Sequence, residues 1–597
     1  MSLNHELSDL FHSLSALMEL KGENVFKVIA FQKVGRILRD LNIDLKRCIE
    51  EGKLCDIEGI GKGSQQIIEE YVETGKSTVF EEIALTVPAG LVPLMQIEGL
   101  GPKTINLLWK ERGITSLDLL EKSLESGEIK TLKGMGEKKL ASIRKGIDDY
   151  KARVAGGGAT RRTGIAEAEN QAIPLLQSLR ALPQIKRAEI AGSLRRRRET
   201  IGDVDLIAAV KDMSDGQAVA DAFTKASGVI QVMVCGPSKC SVKVANGMQV
   251  DLRIVPEANF GAALMYFTGS KDHNVKIRGL AQKKGMTLNE WGLYKLDEYE
   301  KAEREIAKPP AAKAVASETE DAIYKKLGLA FVEPEMREDL GEVDLAKSDK
   351  LPVLITRADI RGDLHTHTTA SDGTASIIEM AEAAKALGYE YLGVTDHSKA
   401  MAMARGLQPD RLIKHVEEIR RISDSLKGIT LLAGSEVDIL ADGRMDYDDD
   451  ILKELDIVVA SPHLSLKQDT KKATDRLLRA IDNRYVSFIG HPTGRLINAR
   501  DGLPLEMNKI FERAAKSGTA LEINSGYPRL DLNDTNARHA IEAGCMLTIN
   551  TDAHAILGFE EMIWGIGVAR RAWATKKHVI NCMKFAELRA FLRKKRG

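Results

Sequence analysis

From Ile360 onward, short β-branched runs alternate with amphipathic helical stretches: LGVT at 392–395, TLLAG at 430–434, IVVAS at 457–461, VSFIG at 486–490, ALEIN at 520–524 and MLTIN at 546–550. Alternation of this kind calls for parallel strands joined by crossover helices, and so for a barrel-like α/β fold. In such a barrel the carboxyl ends of the strands converge on one rim, where active sites sit. The chemistry-bearing residues fall at that place. His365 and His367 alternate within RGDLHTHTTASDG (361–373), with Asp372 just beyond; His397, Glu436, His463, His491, Asp552 and His554 follow at the ends of later runs. A lone histidine is usually a core or surface residue, and His415, His539 and His578, within or beside helical runs, are read in that way. Mixed imidazole and carboxylate ligands suit zinc, manganese or iron. Nine such residues are too many for one ion and fit about three, with Mn²⁺ or Zn²⁺ expected.

The first 150 residues read as helices joined by glycine turns, with one pattern in three copies: IEGIGKG (57–63), IEGLGPK (97–103) and LKGMGEKK (132–139). Two glycines around one apolar residue, just before a helix, present backbone N–H groups at the positive end of the helix dipole, which suits a phosphate and ignores base identity. Gly59 and Gly61, Gly99 and Gly101, and Gly134 and Gly136 are the candidates, with Lys62, Lys103, Lys138 and Lys139 nearby. One copy is ordinary turn chemistry; three point to phosphate binding. AGGGAT (155–160) then reads as a flexible joint.

Between about 160 and 260 the character becomes mixed α/β, with a helix expected at 166–182 and three strands at 187–191, 204–210 and 248–254. Within AGSLRRRRETIGDVDLI (191–207), Asp203 and Asp205 are two apart on a strand and so share a face. Asp251, in VDLRIV, lies on a strand that could pair alongside. A lone DxD is more often a solvated strand end. Here three carboxylates could converge on two Mg²⁺ ions ~3.5–4 Å apart, the arrangement that activates a 3′-hydroxyl and neutralises a triphosphate. Gly192 and Ser193 offer close backbone approach and a hydroxyl, and Arg195 to Arg198 read as positive charge for phosphate. A further helical and mixed region runs to about 345, with a loop expected at 307–317.

Composition agrees with several ordinary globular units. Lys plus Arg and Asp plus Glu both number 86, so no net charge announces a nucleic-acid partner, although local patches matter more. The six cysteines are scattered without CxxC spacing, which argues against a thiolate zinc site or disulfide framework and for a reducing compartment. No apolar run approaches ~20 residues, and MSLNHELSDLFHSL has no signal-peptide pattern, so a cytoplasmic protein without a membrane segment is expected.

Gly192-Ser193, the GDVD run, Asp251 and YFTGSKDHNVKIRGLAQKKGMTLNEWGLY (266–294) together resemble family X DNA polymerases. The resemblance spans residues 1–345, and the glycine turns are similar to helix–hairpin–helix motifs. It implies that Asp203, Asp205 and Asp251 are metal ligands and that Ser193 and Arg196 bind triphosphate. By the same resemblance Tyr266, Phe267 and Gly269 line the sugar pocket, and Asn274 and Arg278 face the minor groove of the nascent pair. Two departures stand out. The lysine used by lyase-active relatives is replaced by Ile67, and an arginine often found two residues before the third aspartate is replaced by Gln249.

The last part resembles the PHP phosphoesterase family, and every position of that family's nine-ligand pattern is filled. The implied architecture is a multidomain α/β chain: a lyase-like helical DNA-binding domain (1–85), a fingers helix–hairpin–helix subdomain (86–158), an α+β nucleotidyltransferase palm (159–260), a thumb (261–345), a linker (346–359) and a distorted (β/α) PHP barrel (360–597). The implied activities are template-directed gap filling with dNTPs on gapped or primer–template DNA and 3′-to-5′ exonuclease, with abasic-site or 3′-phosphate processing as an addition, by a monomer. Two rivals stay open at this point: a small-molecule PHP phosphatase with a DNA-binding front half, and a non-catalytic repair scaffold.

Overall fold

The computed structural model describes residues 3–40, 45–50, 52, 54–57, 59–88, 90–95, 97, 99–132, 134–155, 162–302 and 313–596. Of the joint expected at 155–160 only Ala155, the end of a helix, is described, and 307–312 of the expected loop lies outside the described residues. The chain divides into two compact units, Met1–Arg161 and Arg162–Gly597.

The first unit is helical. Leu7, Phe11, Leu14 and Met18 recur every three or four residues along the helix Leu3–Lys21, so one stripe of it is apolar and buried. The three glycine turns repeat bond for bond. The N–H groups of Ile60, Leu100 and Met135 donate to the carbonyls of Ile57, Ile97 and Leu132 at 3.0, 3.0 and 3.1 Å. Gly59, Gly99 and Gly134 stand at φ +99°, +89° and +86°, a backbone region that only glycine enters freely. Gly61 and Gly101 then cap the helices Lys62–Thr74 and Pro102–Arg112 without a side-chain cap, and Gly136 precedes Glu137–Ala155.

The second unit is built on two large sheets. The smaller has strands β1 (Ile185–Ile190), β2 (Asp203–Val210), β3 (Val229–Cys235), β4 (Lys239–Val244) and β5 (Gln249–Pro256), in the order β1-β2-β5-β4-β3. Only β2 and β5 pair in parallel. Val204, Leu206 and Ala208 on one face of β2 join the core with the helix Ile165–Arg180. Ile207 and Ala209, on the other face, pack with Phe260, Ala263 and Leu264 of the helix Phe260–Thr268. Successive strand residues alternate between faces, so Asp203 and Asp205 lie on that second face. The hairpin β3–β4 was not among the three strands expected here. A layer of helices, including Lys271–Lys283 and Glu320–Lys326, and the hairpin Met286–Asn289/Gly292–Lys295 complete this half.

The larger sheet has seven parallel strands in sequence order: β6 (Gly362–Thr366), β7 (Tyr391–Val394), β8 (Thr430–Asp438), β9 (Ile457–Ser461), β10 (Phe488–Ile489), β11 (Ala520–Asn524) and β12 (Leu547–Asn550). A parallel bridge between Thr366 and Ala553, with His367 N–H donating to the Ala553 carbonyl at 2.9 Å, brings the first strand to the last. Leu364, Tyr391, Ile457, Phe488 and Ala520 pack with Leu588 and Leu592 of the final helix, Phe585–Lys594. The expected helical front, mixed α/β middle and barrel-like C-terminal half are all present.

Candidate active sites

The first site is built on the β2/β5 pair. Their register sets Asp205 opposite Asp251 and Asp203 opposite Gln249. Gln249 Nε2 donates to Asp251 Oδ1 at 2.9 Å, and Lys239 Nζ lies 3.8 Å from Asp251 Oδ2. A Cβ on Gly192 would fall 2.3 Å from Asp205 Oδ2, and Gly192 has φ +63°, so only glycine lets this loop pass against the carboxylate. Ser193 follows on the short turn Gly192–Arg195. Burial, reinforced by the Asp203 and Asp251 carboxylates, pushes Asp205 up to about 7; burial and then Asp251 raise Asp203 as well. Carboxylates with raised pKa values are groups whose charged form asks for a cation. Among the described residues, the three aspartates do not reach the 4.8 Å mutual spacing found in the barrel cluster below.

Tyr266, Asn274 and Arg278 line one small cavity, with Asn274 and Arg278 a helical turn apart and Asn274 Nδ2 donating to the Tyr266 carbonyl at 2.7 Å. Phe267 packs edge-on against Tyr266, ring centroids 5.1 Å apart, and lies under the Arg253 guanidinium at 4.8 Å. Gly269, at φ +68°, ends the helix beside Arg196; a Cβ there would meet Arg196 Nη1 at 3.2 Å.

Each member of the arginine run, read from sequence as charge for phosphate, has a carboxylate partner that the sequence did not reveal: Arg195 donates to Glu320 at 2.6 and 2.9 Å, Arg196 Nε to Glu338 at 3.1 Å, Arg197 to Glu169, and Arg198 lies 4.0 Å from Glu338. Guanidinium groups taken partly out of water need such partners.

The second site is the barrel rim. Glu436 lies at its centre, with carboxylate oxygens 3.3, 3.6, 2.9, 3.2 and 2.9 Å from ring nitrogens of His365, His367, His397, His463 and His491. Asp552 Oδ1 is 2.9 Å from His367 Nε2, and Asp372 lies 3.6 and 3.4 Å from His397 and His554. Three overlapping groups have ligand atoms all within 4.8 Å of one another: His367, Asp372, His397 and His554; His365, His367, Glu436 and Asp552; His397, Glu436 and His463. His491 joins through its contact with Glu436 rather than as a member of a group.

Electrostatics and backbone both mark the rim. Burial works against ionising Glu436, yet His463, His365 and His397 hold it well below the carboxylate range. Burial, with His397 and His554, pushes His367 down to about 4. His491 and Asp552 occupy left-handed backbone, φ +26° and +56°, at a cost of about 1–3 kcal/mol each, which functional sites often carry.

A second layer of groups orients these side chains, and sequence reasoning missed it. His365 Nδ1 lies 2.8 Å from Glu522, His463 Nδ1 3.3 Å from Asp438, and His554 Nδ1 2.7 Å from the Asp552 carbonyl. Each contact fixes the tautomer that leaves Nε2 as the ligand atom. Glu522 also accepts the His491 N–H at 2.7 Å. The available signal was a carboxylate within or closing an apolar strand: Glu522 at the middle of ALEIN, Asp438 at the end of TLLAGSEVD. His415 was also under-read: it is buried against Asp396 rather than bland.

The chain is similar to known proteins in both halves. Residues 2–77 match a helix-hairpin-helix domain, 263–338 a DNA polymerase beta thumb and 363–526 a PHP domain. It is 37% identical over 587 residues, 98% of each chain, to DNA polymerase/3′-5′ exonuclease PolX of Bacillus subtilis. Its last part is 32% identical over 203 residues, 32% of this chain and 75% of the relative, to a probable phosphatase of Caldanaerobacter subterraneus. A probable phosphatase of Thermoanaerobacter sp. is 28% identical over 245 residues, 39% of this chain and 95% of its own. With a relative of that identity matched along almost its whole length, the chain belongs to the family X DNA polymerases that carry a PHP domain.

Proposed function

We propose that this chain is a DNA-repair polymerase that fills short gaps by template-directed nucleotide addition and carries a metal-dependent 3′-to-5′ exonuclease in its barrel. One observation carries the reading: a single chain has carboxylates on paired strands beside a glycine loop and a rim of histidines around one glutamate. Its likeness to the Bacillus polymerase/exonuclease runs through both sites. In this reading 1–85 and 86–158 grip DNA, 159–260 is the palm, 261–345 the thumb, 346–359 a linker and 360–597 the PHP domain.

In the palm, Asp203, Asp205 and Asp251 would hold two Mg²⁺ ions, which the upward shifts of Asp203 and Asp205 favour. The nine rim residues would hold about three Mn²⁺ or Zn²⁺ ions. The rim fits such a role because His365 Nε2, both ring nitrogens of His367, His397 Nδ1, Glu436 Oε2 and Asp552 Oδ1 are buried without a hydrogen bond. Leaving that many polar atoms unpaired is costly unless a cation takes them. In both sites bound divalent ions supply charge neutralisation at phosphate oxygens and acidify the attacking hydroxyl or water.

The chain's own residues bind and orient. Ser193 and Arg196 take the triphosphate, and Tyr266, Phe267 and Gly269 hold the sugar. Asn274 and Arg278 present donors to the nascent pair from one face of a helix. The glycine turns offer uncapped helix ends to the DNA backbone. No described helix is long and apolar enough to cross a membrane. Likeness to a bacterial DNA polymerase supports a cytoplasmic enzyme.

The test uses the full chain on a one-nucleotide gapped duplex. With the complementary dNTP and Mg²⁺ the primer gains one nucleotide; without dNTP and with Mn²⁺ its 3′ end shortens. A chain that does neither refutes the reading.

A further inference from the structure

The barrel helix Met562–Arg571 presents one face to the loop after Gly192. Trp564 Nε1 donates at 2.7 Å to Glu169, the carboxylate that also holds Arg197. One turn on, Gly567 lets the helix lie close: a Cβ there would meet the Arg197 side chain at 3.3 Å. A turn further, Arg571 Nη1 donates to the backbone carbonyl of Arg196 at 2.8 Å and to Glu338 at 2.9 Å, while its Nε donates to Asp534 at 2.7 Å. Arg571 is 4% exposed, so these bonds form largely out of water, where charge-assisted pairs are strongest.

Glu338 therefore stands between two guanidiniums, Arg571 of the barrel and Arg196 of the polymerase loop. Arg196 is held again by the Thr268 carbonyl at 2.5 Å. Counted as formal charges, Arg196, Arg571, Glu338 and Asp534 balance. If Arg196 turns toward a triphosphate, Glu338 keeps Arg571, and Arg198 stands 4.0 Å away. Without Arg571, Arg196 becomes the nearest cation of a largely buried carboxylate, and drawing it away leaves only Arg198, 4.0 Å off, to offset that charge.

We propose that Arg571, on the phosphoesterase barrel, is a positioning residue for nucleotide addition: it fixes the backbone of the Ser193–Arg196 loop and frees the Arg196 guanidinium for the incoming triphosphate. The proposal rests on reading Ser193 and Arg196 as triphosphate-binding. It makes nucleotide affinity at one site depend on a residue of the other domain that touches neither substrate.

The experiment measures single-nucleotide incorporation and Mn²⁺-dependent 3′ hydrolysis by the full chain and by Arg571→Ala, Arg571→Lys and Arg571→Ala/Glu338→Gln. Arg571→Ala is expected to raise the KM for dNTP roughly tenfold, the scale of one charge-assisted hydrogen bond, with kcat and 3′ hydrolysis little changed. Lysine keeps the cation but cannot bridge Asp534 and the Arg196 carbonyl, so Arg571→Lys falls between. Adding Glu338→Gln removes the charge that retains Arg196 and brings KM back toward the unmodified value. A merely structural role lowers the active fraction, and with it kcat, but leaves KM where it was. An unchanged KM in both single variants overturns the proposal alone. Failure of the unmodified chain to incorporate nucleotide overturns the polymerase reading, and this proposal with it.

Discussion

His415 Nε2 lies 2.9 Å from Asp396 Oδ2, tying the helix Pro409–Ser425 to the segment after β7 that carries His397. Asp396 accepts the N–H groups of Thr368 and Ser371 at 2.9 and 3.1 Å and their hydroxyls at 2.8 and 2.6 Å. It thereby shapes the segment between His367 and Asp372, and His415 orients it from behind. His415→Ala should cost about 10- to 100-fold in metal retention or 3′ hydrolysis, the usual range for groups one layer behind the ligands. His415→Gln, which can still donate to Asp396, should recover much of that. Metal content after dialysis, measured beside the hydrolysis rate, is the check; a folded alanine variant with full metal and full rate removes His415 from the site.

That contact was hidden in the sequence because it depends on tertiary placement. The barrel strands were legible, since parallel strands covered on both faces read as unbroken apolar runs. IVVAS and ALEIN coincide with β9 and β11. TLLAG stopped short: β8 continues to Asp438 and contains Glu436, because Ser-Glu-Val-Asp inside a buried strand looks like the start of a loop. The hairpin β3–β4 was missed where Ile230, Val232 and Val234 lie on the exposed face of an edge strand, which blurs the usual alternation. The carboxylate partners of the arginine run were hidden for a further reason: that of Arg197 is 28 positions away and that of Arg196 is 142.

Asp205 gives the polymerase site a pH signature. Burial, then Asp203 and Asp251, raise it from 3.8 to about 7 in the folded chain. A carboxyl with a raised folded pKa favours folding while it stays protonated, and that contribution is lost as pH climbs from the unfolded value through about 7. In chelator, Asp205→Asn should therefore match or exceed the unmodified protein in melting temperature at about pH 8, and its advantage should shrink toward about pH 5. Thermal melts at the two pH values decide it. A variant destabilised equally at both pH values leaves Asp205 without the raised pKa assigned to it.

Ile67 bears on abasic-site chemistry. It is 3% exposed, on the inward side of the helix Lys62–Thr74, where it packs in the helical core. A Schiff base needs an accessible amine, and this position offers a sec-butyl side chain turned away from solvent. Borohydride trapping on a preincised abasic duplex should give little or no covalent adduct. A strong adduct would place the nucleophile on another amine of the front unit.

The two chemistries should also part under single substitutions at their ligands. Asp205 and Asp251 face each other on β2 and β5, whereas the rim residues lie on and beyond the strands of a different sheet. Asp205→Asn should lower incorporation by orders of magnitude, because its carboxylate is central to the three expected to hold the ions, and should leave Mn²⁺-dependent 3′ hydrolysis intact. His463→Ala should do the reverse. Glu436→Ala should be at least as severe as His463→Ala, since five imidazoles crowd its two oxygens and no other rim carboxylate approaches as many. Each variant is first compared with the parent by circular dichroism and melting, because Glu436 is fully buried and its loss also unbalances the histidines around it. A folded Asp205→Asn chain that lost both activities would mean that one site serves both reactions. A folded His463→Ala chain with undiminished hydrolysis would mean that the rim is not where 3′ ends are cut.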